Sequence, residues 1–183
     1  MTGPSIQTER LVLRRWKLAD IEPFAAICAD PEVMRFIGSG VTRTVEETSR
    51  SIRTWEREWD QKGYGLFAVE LLKTGELIGF TGLAEPTFLP EIMPAVEIGW
   101  RLARSAWGKG YATEAALAAL RFGLDDLCLS EIVSIHQVGN DASSGVMCKI
   151  GMTFDRQTVD PSCGRIVRVF RISSCCGQCG PGE

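Results

Sequence analysis

The residue types best suited to chemistry lie in residues 96–122, where Glu97 precedes the glycine turn Gly108-Lys109-Gly110. Apolar residues occupy every second position of residues 96–102, which predicts a strand with Glu97 on the face opposite the apolar stripe. From Tyr111 onward, an alanine-rich run of good helix formers without proline predicts a helix. The segment therefore predicts a strand, a tight turn and a helix in succession.

This junction is a candidate anion site. The start of a helix leaves several backbone N–H groups without partners, and the helix dipole adds partial positive charge at the same place. Gly108 and Gly110 let the backbone approach a ligand closely, and Lys109 adds a mobile positive charge. Phosphate is the anion that suits such a turn best.

Three kinds of phosphate-binding loop use this arrangement, and their spacing separates them. A P-loop needs Gly-Lys-[Ser/Thr], whereas Tyr111 follows Gly110 here. The dinucleotide fingerprint needs a third Gly or Ala where Thr113 stands, within a repeating βαβ chain, but hairpin signals precede this turn. The third kind is the acetyl-CoA loop, which fits the residues best.

Residues 107–112 resemble the acetyl-CoA pyrophosphate loop of the GNAT (GCN5-related) N-acetyltransferase superfamily, whose signature is [QR]-x-x-G-x-[GA]. The match is at Gly110 and Ala112, and the departure is at Trp107, where the wider superfamily has Gln or Arg. The form W-G-K-G-Y-A-T-E-A and the opening T-E-R-L-x-L-R at residues 8–14 resemble the Rim-type branch of ribosomal-protein N-terminal acetyltransferases.

The resemblance implies that acetyl-CoA is the co-substrate and that no metal takes part. It also implies that the motif N-x-x-S…K-x-G-[MF], at residues 140–152, closes the acetyl-CoA site, with Asn140 and Ser143 at the pantetheine and thiol end. The implied cofactor-binding residues are Trp100, Arg101, Leu102, Trp107, Gly108, Lys109, Gly110, Tyr111, Ala112, Thr113, Asn140 and Ser143.

Acetyl transfer to an amine needs a proton acceptor, because an N-terminal amine has a pKa of about 8 and is largely protonated near neutrality. Glu97 is the leading candidate for this catalytic role, although an exposed strand glutamate or a structural ion pair would also explain it. Asp155 is the second candidate. A backbone N–H of residues 96–102 suits the carbonyl oxyanion.

The leaving thiolate needs a proton donor or must leave without one. Ser143 is the candidate donor, but a helix N-cap role would explain this serine equally well. Many superfamily members carry a tyrosine acid two residues before the lysine of the second motif. This chain has Met147 at that place, and a methionine has no proton to donate.

The fold expected from the resemblance is an α/β domain with a mixed, mostly antiparallel central sheet flanked by helices. One such domain spans residues 1–174, and a Cys/Gly-rich flexible tail spans residues 175–183. Strands are predicted at residues 8–16, 64–72, 77–83, 96–102, 131–138 and within 164–172. Helices are predicted after Asp20, at residues 31–37 and 44–61, from Tyr111, and between Asn140 and Gly151.

Composition excludes several classes of function. The net charge is −3 with charges of both signs mixed, which argues against a nucleic-acid groove. No apolar run approaches the ~18 residues of a membrane span, and no signal peptide is evident. The expected location is the cytoplasm. Monomer and homodimer both remain open.

Cysteines suggest reduced thiols rather than a disulfide framework. Cys28, Cys128 and Cys148 are expected in the core. The tail residues Cys175, Cys176 and Cys179 invite a zinc interpretation, but structural zinc needs a second pair of ligands. The only histidine, His136, sits within a predicted strand, where it is expected to pack.

The expected function is therefore transfer of an acetyl group from acetyl-CoA to a primary amine, by direct attack in a ternary complex. The acceptor is a protein N-terminus, another peptide amine or a small-molecule amine. Because of Met147, a CoA-binding sensor or interaction domain without catalysis is the alternative. A metal-binding module built on the tail is a third, weaker hypothesis.

Overall fold

A computed structural model describes residues 4–174, which form an eight-stranded sheet flanked by helices. The strands are β1 (Ile6–Gln7), β2 (Leu11–Arg14), β3 (Leu66–Leu71), β4 (Leu77–Ala84), β5 (Glu97–Leu102), β6 (Glu131–Gln137), β7 (Thr153–Val159) and β8 (Ile166–Ser173). The helices are α1 (Ile21–Cys28), α2 (Pro31–Met34), α3 (Val45–Lys62), α4 (Tyr111–Arg121) and α5 (Asp141–Lys149). The predicted mixed α/β architecture is confirmed.

The sheet is antiparallel at every junction except one. Its spatial order is β1-β2-β3-β4-β5-β6-β8-β7. Strands β5 and β6 run parallel, and their register includes a single residue pair, Glu97 with Val133. By contrast, the antiparallel pair β4–β5 is in register over six residue pairs, and β6–β8 over seven. The sheet therefore divides into two halves that are joined at Glu97.

Each face of the sheet has its own apolar cluster. Helix α4 lies on the back face, where Ala115, Ala116 and Ala119 allow close contact with the buried side chains of the central strands. Helices α1 and α3 cover the front face of β3 and β4 with an aromatic group of Trp16, Phe24, Trp55 and Phe80. A smaller front-face cluster around Leu89 covers β6 and β8.

Local sequence signals place most helix ends correctly. Thr44 and Glu47 form the capping box of α3, with reciprocal hydrogen bonds of 3.2 and 2.8 Å. Helix α5 ends just before Gly151, whose φ of 89° is in the left-handed region that favours glycine.

Several expectations were wrong in detail. Strand β7 is absent from the sequence prediction because it is an edge strand with mostly exposed side chains and no apolar alternation. The predicted first strand at residues 8–16 is the shorter β2, and the strand β1 that pairs with it precedes that range. Leu89, in the proline-rich segment 85–94, is buried. Cys128 and Cys148 are exposed rather than in the core.

Two paired glycines at the centre of the sheet test this packing. Gly82 lies opposite Gly99 in the β4–β5 ladder. Gly82 has a φ of 149°, and a Cβ there would collide with the backbone of Gly65 and Leu66, whereas a Cβ at Gly99 would meet nothing within 4 Å. We expect Gly82→Ala to lower the free energy of unfolding by roughly 2–5 kcal/mol, from overpacking and backbone strain.

Gly99→Ala is the matched control, and we expect its unfolding free energy to stay within about 0.5 kcal/mol of the wild-type value. Urea unfolding of both variants measures the difference. Equal stability of the two variants would contradict the packing described for this pair.

Candidate active site

The glycine turn has the geometry of an open anion site. Gly108 and Gly110 have φ values of 72° and 81°, which L side chains rarely adopt. Helix α4 begins at Tyr111, and its N-cap residue, Gly110, provides no side-chain cap. The first N–H groups of this eleven-residue helix are thus left for a ligand. Residues 107–110 are exposed, so an anion has access to them.

Trp107, the departure from the superfamily pattern, has a structural contact of its own. Its indole Nε1–H donates to the backbone carbonyl of Leu102 at 2.9 Å. This bond ties the turn to the end of β5. A tryptophan therefore performs a positioning role here without offering a charged group to the ligand.

A cluster of three side chains fixes the start of α4 to the first strands. Glu114 accepts hydrogen bonds from the Thr8 hydroxyl at 2.6 Å, the Arg10 N–H at 2.8 Å and Arg10 Nε at 2.7 Å. Arg10 Nη1 also donates to the carbonyl of Lys109 at 2.9 Å, and its guanidinium lies 4.7 Å from the Tyr111 ring centroid. We call Thr8, Arg10 and Glu114 the loop clamp.

The loop clamp was missed by sequence reasoning, which assigned residues 8–14 to a strand only. Burial acts to raise the pKa of Glu114, but the hydrogen bonds from Thr8 and Arg10 outweigh it and lower that pKa. Glu114 is therefore ionised at neutral pH and holds the glycine turn through charge-assisted hydrogen bonds. The signal for this cluster in the sequence was the presence of both T-E-R at residues 8–10 and A-T-E-A at residues 112–115.

Glu97 stands at the point where β5 and β6 part. It lies on the front face, opposite Ile98 and Leu102, as its position in the alternating pattern predicts. The side chain retains some solvent contact, but surrounding protein desolvates the carboxyl and raises its pKa to about 8, while a hydrogen bond with the backbone of Ile135 opposes the shift. Glu97 has no salt bridge among the described residues.

The backbone of β5 beyond Glu97 faces an unpaired edge. The ladder to β6 includes only the Glu97–Val133 pair, and the Ser134 hydroxyl donates to the Ile98 carbonyl at 2.8 Å in place of a further backbone bond. Strand alternation directs the N–H groups of Trp100 and Leu102 toward this gap. These groups are free of β-ladder partners on the β6 side.

The second motif lies at the other side of the gap. Asn140 is the N-cap of α5, and its Oδ1 accepts from the Ser143 N–H at 3.3 Å. The cap is therefore Asn140 and not Ser143, whose hydroxyl makes no hydrogen bond to the described residues. Met147 is 1% exposed and packs in the back-face core. No side chain replaces the tyrosine acid at this position.

Asp155, the second candidate base, is bound in ion pairs. Its Oδ2 lies 2.7 Å from Arg156 Nε and 2.7 Å from Arg171 Nη2. Burial acts to raise the pKa of Asp155, but the two arginines outweigh it and lower that pKa. A carboxylate so stabilised is a weak proton acceptor, and it lies on edge strand β7, which two strands separate from β5.

Arg101, expected among the cofactor residues, directs its side chain to the front face. Its guanidinium carbon is 5.3 Å from the Phe80 ring centroid and 6.0 Å from that of Phe24. The phosphate-binding turn leads into α4 on the back face. The backbone of Arg101 remains part of β5, but its side chain belongs to the surface beside Glu97.

The front-face cleft is bounded at one end by a hydrogen-bonded bridge. Gln137 Nε2 donates to the Gly38 carbonyl at 2.6 Å. Arg165 donates to the carbonyls of Arg35 and Ser39 and to Gln137 Oε1, at 2.7–2.8 Å. The loop after α2 is thus anchored across the end of β6. This loop contains residues 36–40.

The described residues contain neither a metal-binding cluster nor a membrane-spanning helix. Within residues 4–174, no group of three or more His, Cys, Asp or Glu side chains could hold a metal ion. The tail cysteines, on which the zinc hypothesis rested, lie outside that range. His136 packs in a strand against Phe170, as expected. No helix in the described part of the chain is long and apolar enough to cross a membrane.

The raised pKa of Glu97 has a consequence for stability. The folded state keeps a proton that the unfolded chain, with a value near 4.5, has lost. The stabilisation from this group is therefore complete below about 4.5 and is lost as pH rises through about 8. We expect the melting temperature of Glu97→Gln to fall less than that of the wild type between mildly acidic and mildly alkaline pH.

Thermal scans across this pH range measure the effect, and Glu114→Gln is the control for loss of a carboxylate with a lowered pKa. Parallel curves for the wild type and Glu97→Gln would contradict the desolvated state of Glu97.

Comparisons with known proteins agree with this geometry. A family model described as "Acetyltransferase (GNAT) domain" matches residues 10–153. The uncharacterized protein YkkB of Bacillus subtilis is 35% identical over 155 residues, which cover 81% of this chain and 85% of YkkB.

Solved structures share the fold over nearly the whole chain. An acetyltransferase from Agrobacterium tumefaciens superimposes with a TM-score of 0.79 and 29% identity, covering 95% of this chain and 96% of its own. The ribosomal L7/L12 alpha-N-protein acetyltransferase RimL, in complex with coenzyme A, superimposes with a TM-score of 0.75 at 15% identity, covering 93% and 98%. The chain therefore belongs to the GNAT acetyltransferase family.

Proposed function

We propose that this protein transfers the acetyl group of acetyl-CoA to a primary amine by direct attack in a ternary complex. The observation that carries the proposal is Glu97, a desolvated carboxyl with a pKa of about 8 at the parting of β5 and β6. Acetyl-CoA supplies an acyl group already activated as a thioester. The residues of the chain must bind it, orient the amine and accept the proton.

The residues present fit acetyl-CoA. The uncapped start of α4 and the turn at residues 107–110 suit the pyrophosphate. The unpaired edge of β5 offers the N–H groups of Trp100 and Leu102 to the pantetheine and to the acetyl carbonyl. Asn140 and Ser143 lie at the start of α5, where the Ser143 hydroxyl is available to the sulfur end.

The pKa of Glu97 is close to the pKa of an N-terminal amine. An N-terminal amine has a pKa of about 8, and a lysine amine about 10.4. Proton transfer is most effective between groups of similar pKa near the working pH, so a carboxyl of pKa about 8 favours an N-terminal or similarly weak amine. RimL, whose fold this chain shares, is an alpha-N-protein acetyltransferase and acts on that acceptor class.

The two substrates approach from opposite faces. Helix α4 and the glycine turn belong to the back face, whereas Glu97 lies on the front face. The amine therefore enters from the front and meets the acetyl group at the gap between β5 and β6. Since Met147 has no proton to donate, the thiolate leaves with help from Ser143 or from solvent.

Mass spectrometry after incubation with acetyl-CoA tests the proposal. The acceptor pool holds peptides with free Ala, Ser or Met N-termini, spermidine, amino acids and aminoglycosides. A mass gain of one acetyl group on one class supports the enzyme and names its acceptor. A rise in melting temperature with acetyl-CoA and no acetylated product would instead favour the sensor alternative.

Two single substitutions decide between the candidate bases. We expect Glu97→Gln to lower kcat by about 10²–10⁴-fold, the usual contribution of a general base, and to keep acetyl-CoA binding. Asp155→Asn removes two ion pairs at the sheet edge, and we expect a change of less than tenfold. Steady-state rates with the best acceptor measure both. The opposite order of effects would assign the base to Asp155.

The loop clamp predicts an effect on acetyl-CoA alone. Glu114→Ala removes the acceptor of three hydrogen bonds that hold the glycine turn, so we expect acetyl-CoA to bind at least tenfold more weakly. Calorimetric titration measures the dissociation constant, and Glu131→Ala, which removes a partly exposed ion pair with Arg171, is the control. An unchanged dissociation constant in Glu114→Ala would show that the turn needs no clamp.

A further inference from the structure

Arg101 is a buried cation without a carboxylate partner. Arg101 is only 8% exposed, and none of its side-chain nitrogens lies within 4.0 Å of a carboxylate oxygen of the described residues. Among the described residues, its guanidinium makes one hydrogen bond, from Nη1 to the Cys28 sulfur at 3.3 Å, and its Nε is buried with no partner. A buried charge in this state is costly unless something pairs with it.

The other enclosed arginine of this front face shows the usual solution. Arg14 lies 2.7 Å from an oxygen of Asp20 and 2.7 Å from an oxygen of Glu70, so its charge is compensated twice. Arg101 has aromatic rings and a thiol instead. Burial lowers the pKa of Arg101, and the positive charge of the nearby Arg43 lowers it further.

The front face of β5 is open between Glu97 and Arg101. Arg101, Gly99 and Glu97 share the front face of β5, and a Cβ at Gly99 would meet nothing within 4 Å. The strand thus carries a carboxyl at one end, an open floor in the middle and a guanidinium at the other end. The backbone N–H of Arg43 donates to the Cys28 carbonyl at 3.1 Å, and its Nη1 donates to the Ser51 hydroxyl at 3.2 Å.

We propose that Arg101, assisted by Arg43, binds a carboxylate of the acceptor while the reacting amine lies at Glu97. This inference rests on the proposed function and names the substrate class of the same site. A guanidinium binds a carboxylate through two parallel hydrogen bonds. Such a ligand would supply the counter-ion that Arg101 lacks among the described residues.

The spacing restricts the acceptor further. Glu97 and Arg101 are four residues apart on an extended strand, so their Cα atoms are separated by about 13 Å. An extended peptide advances about 3.3–3.6 Å per residue. The span is about four extended residues, and the reach of the Arg101 and peptide side chains shortens it. The carboxylate therefore belongs on the second or third residue of a peptide with a free N-terminus. A free amino acid is too short to reach both groups.

Acetylation of matched peptides tests this inference. One pair compares peptides that begin Ala-Asp and Ala-Asn, and the other compares Ala-Ala-Asp and Ala-Ala-Asn. All four are amidated at the C-terminus. A fifth peptide, Ala-Ala-Asn with a free C-terminus, presents a terminal carboxylate instead. We expect kcat/KM to be at least tenfold higher for the acidic member of the better pair. The tripeptide arm separates a side-chain carboxylate from a terminal one.

Variants link that preference to Arg101. We expect Arg101→Met, a swap that fills similar volume, to abolish the acidic preference by raising KM for the acidic peptide, and Arg101→Lys to restore part of it. Arg104→Met, which removes a mostly exposed arginine on the same segment, is the matched control and keeps the preference. An acetyl-CoA melting shift equal to that of the wild type confirms that each variant is folded.

The outcomes separate the inference from the proposed function. Equal acetylation of Asp and Asn peptides by the wild type would overturn the carboxylate site and leave the acetyltransferase proposal standing. A preference that survives in Arg101→Met would also overturn it. Failure to acetylate any peptide, with other amines acetylated, would overturn the peptide acceptor and this inference together. Failure with every amine would overturn the proposed function itself.

Discussion

The arrangement of the candidate site depends on the parallel junction between β5 and β6. A parallel ladder normally continues along both strands with evenly spaced hydrogen bonds, yet here the register stops after Glu97 and Val133. The strands part, and part of the β5 edge is left without ladder partners. At the same point the Glu97 carboxyl lies on the front face, where desolvation raises its pKa. One break in the sheet therefore leaves both a free backbone edge and a desolvated carboxyl.

The glycine turn at residues 107–110 depends on parts of the chain far from it in sequence. Its glycines leave the backbone permissive, and an unrestrained turn would lose conformational freedom on binding a ligand. Thr8 and Arg10 hold Glu114 from the N-terminal strands, and Trp107 holds the end of β5. The restraint is thus present before the ligand binds. This arrangement also explains why a tryptophan is compatible with a turn that binds mainly through backbone N–H groups.

Sequence predicted the features that arise from local patterns. The capping box at Thr44, the helix stop at Gly151 and the turn before Tyr111 each follow from residue types a few positions apart. The face of Glu97 follows from the alternation along one strand. Those predictions hold because the relevant physics acts over one turn of helix or two residues of strand.

The remaining features depend on contacts that no local pattern specifies. The bonds between Glu114 and Arg10 join residues 104 positions apart, and the extent of the β5–β6 register is a property of both strands together. Edge strand β7 lacks an apolar face, so its sequence has no period to read. The sheet face on which Arg101 lies follows from strand alternation, but its lack of a counter-ion depends on how α1 packs against it.

The most direct test of this account is the ionisation of Glu97 itself. Carboxyl-carbon NMR on protein labelled at its glutamates follows each side chain through a pH titration, and the spectrum of Glu97→Gln identifies the signal of Glu97. A midpoint near 8 would support a desolvated carboxyl matched to an N-terminal amine. A midpoint near the ordinary value of 4.5 would contradict it, because such a group would be an ordinary solvated glutamate at the edge of the cleft.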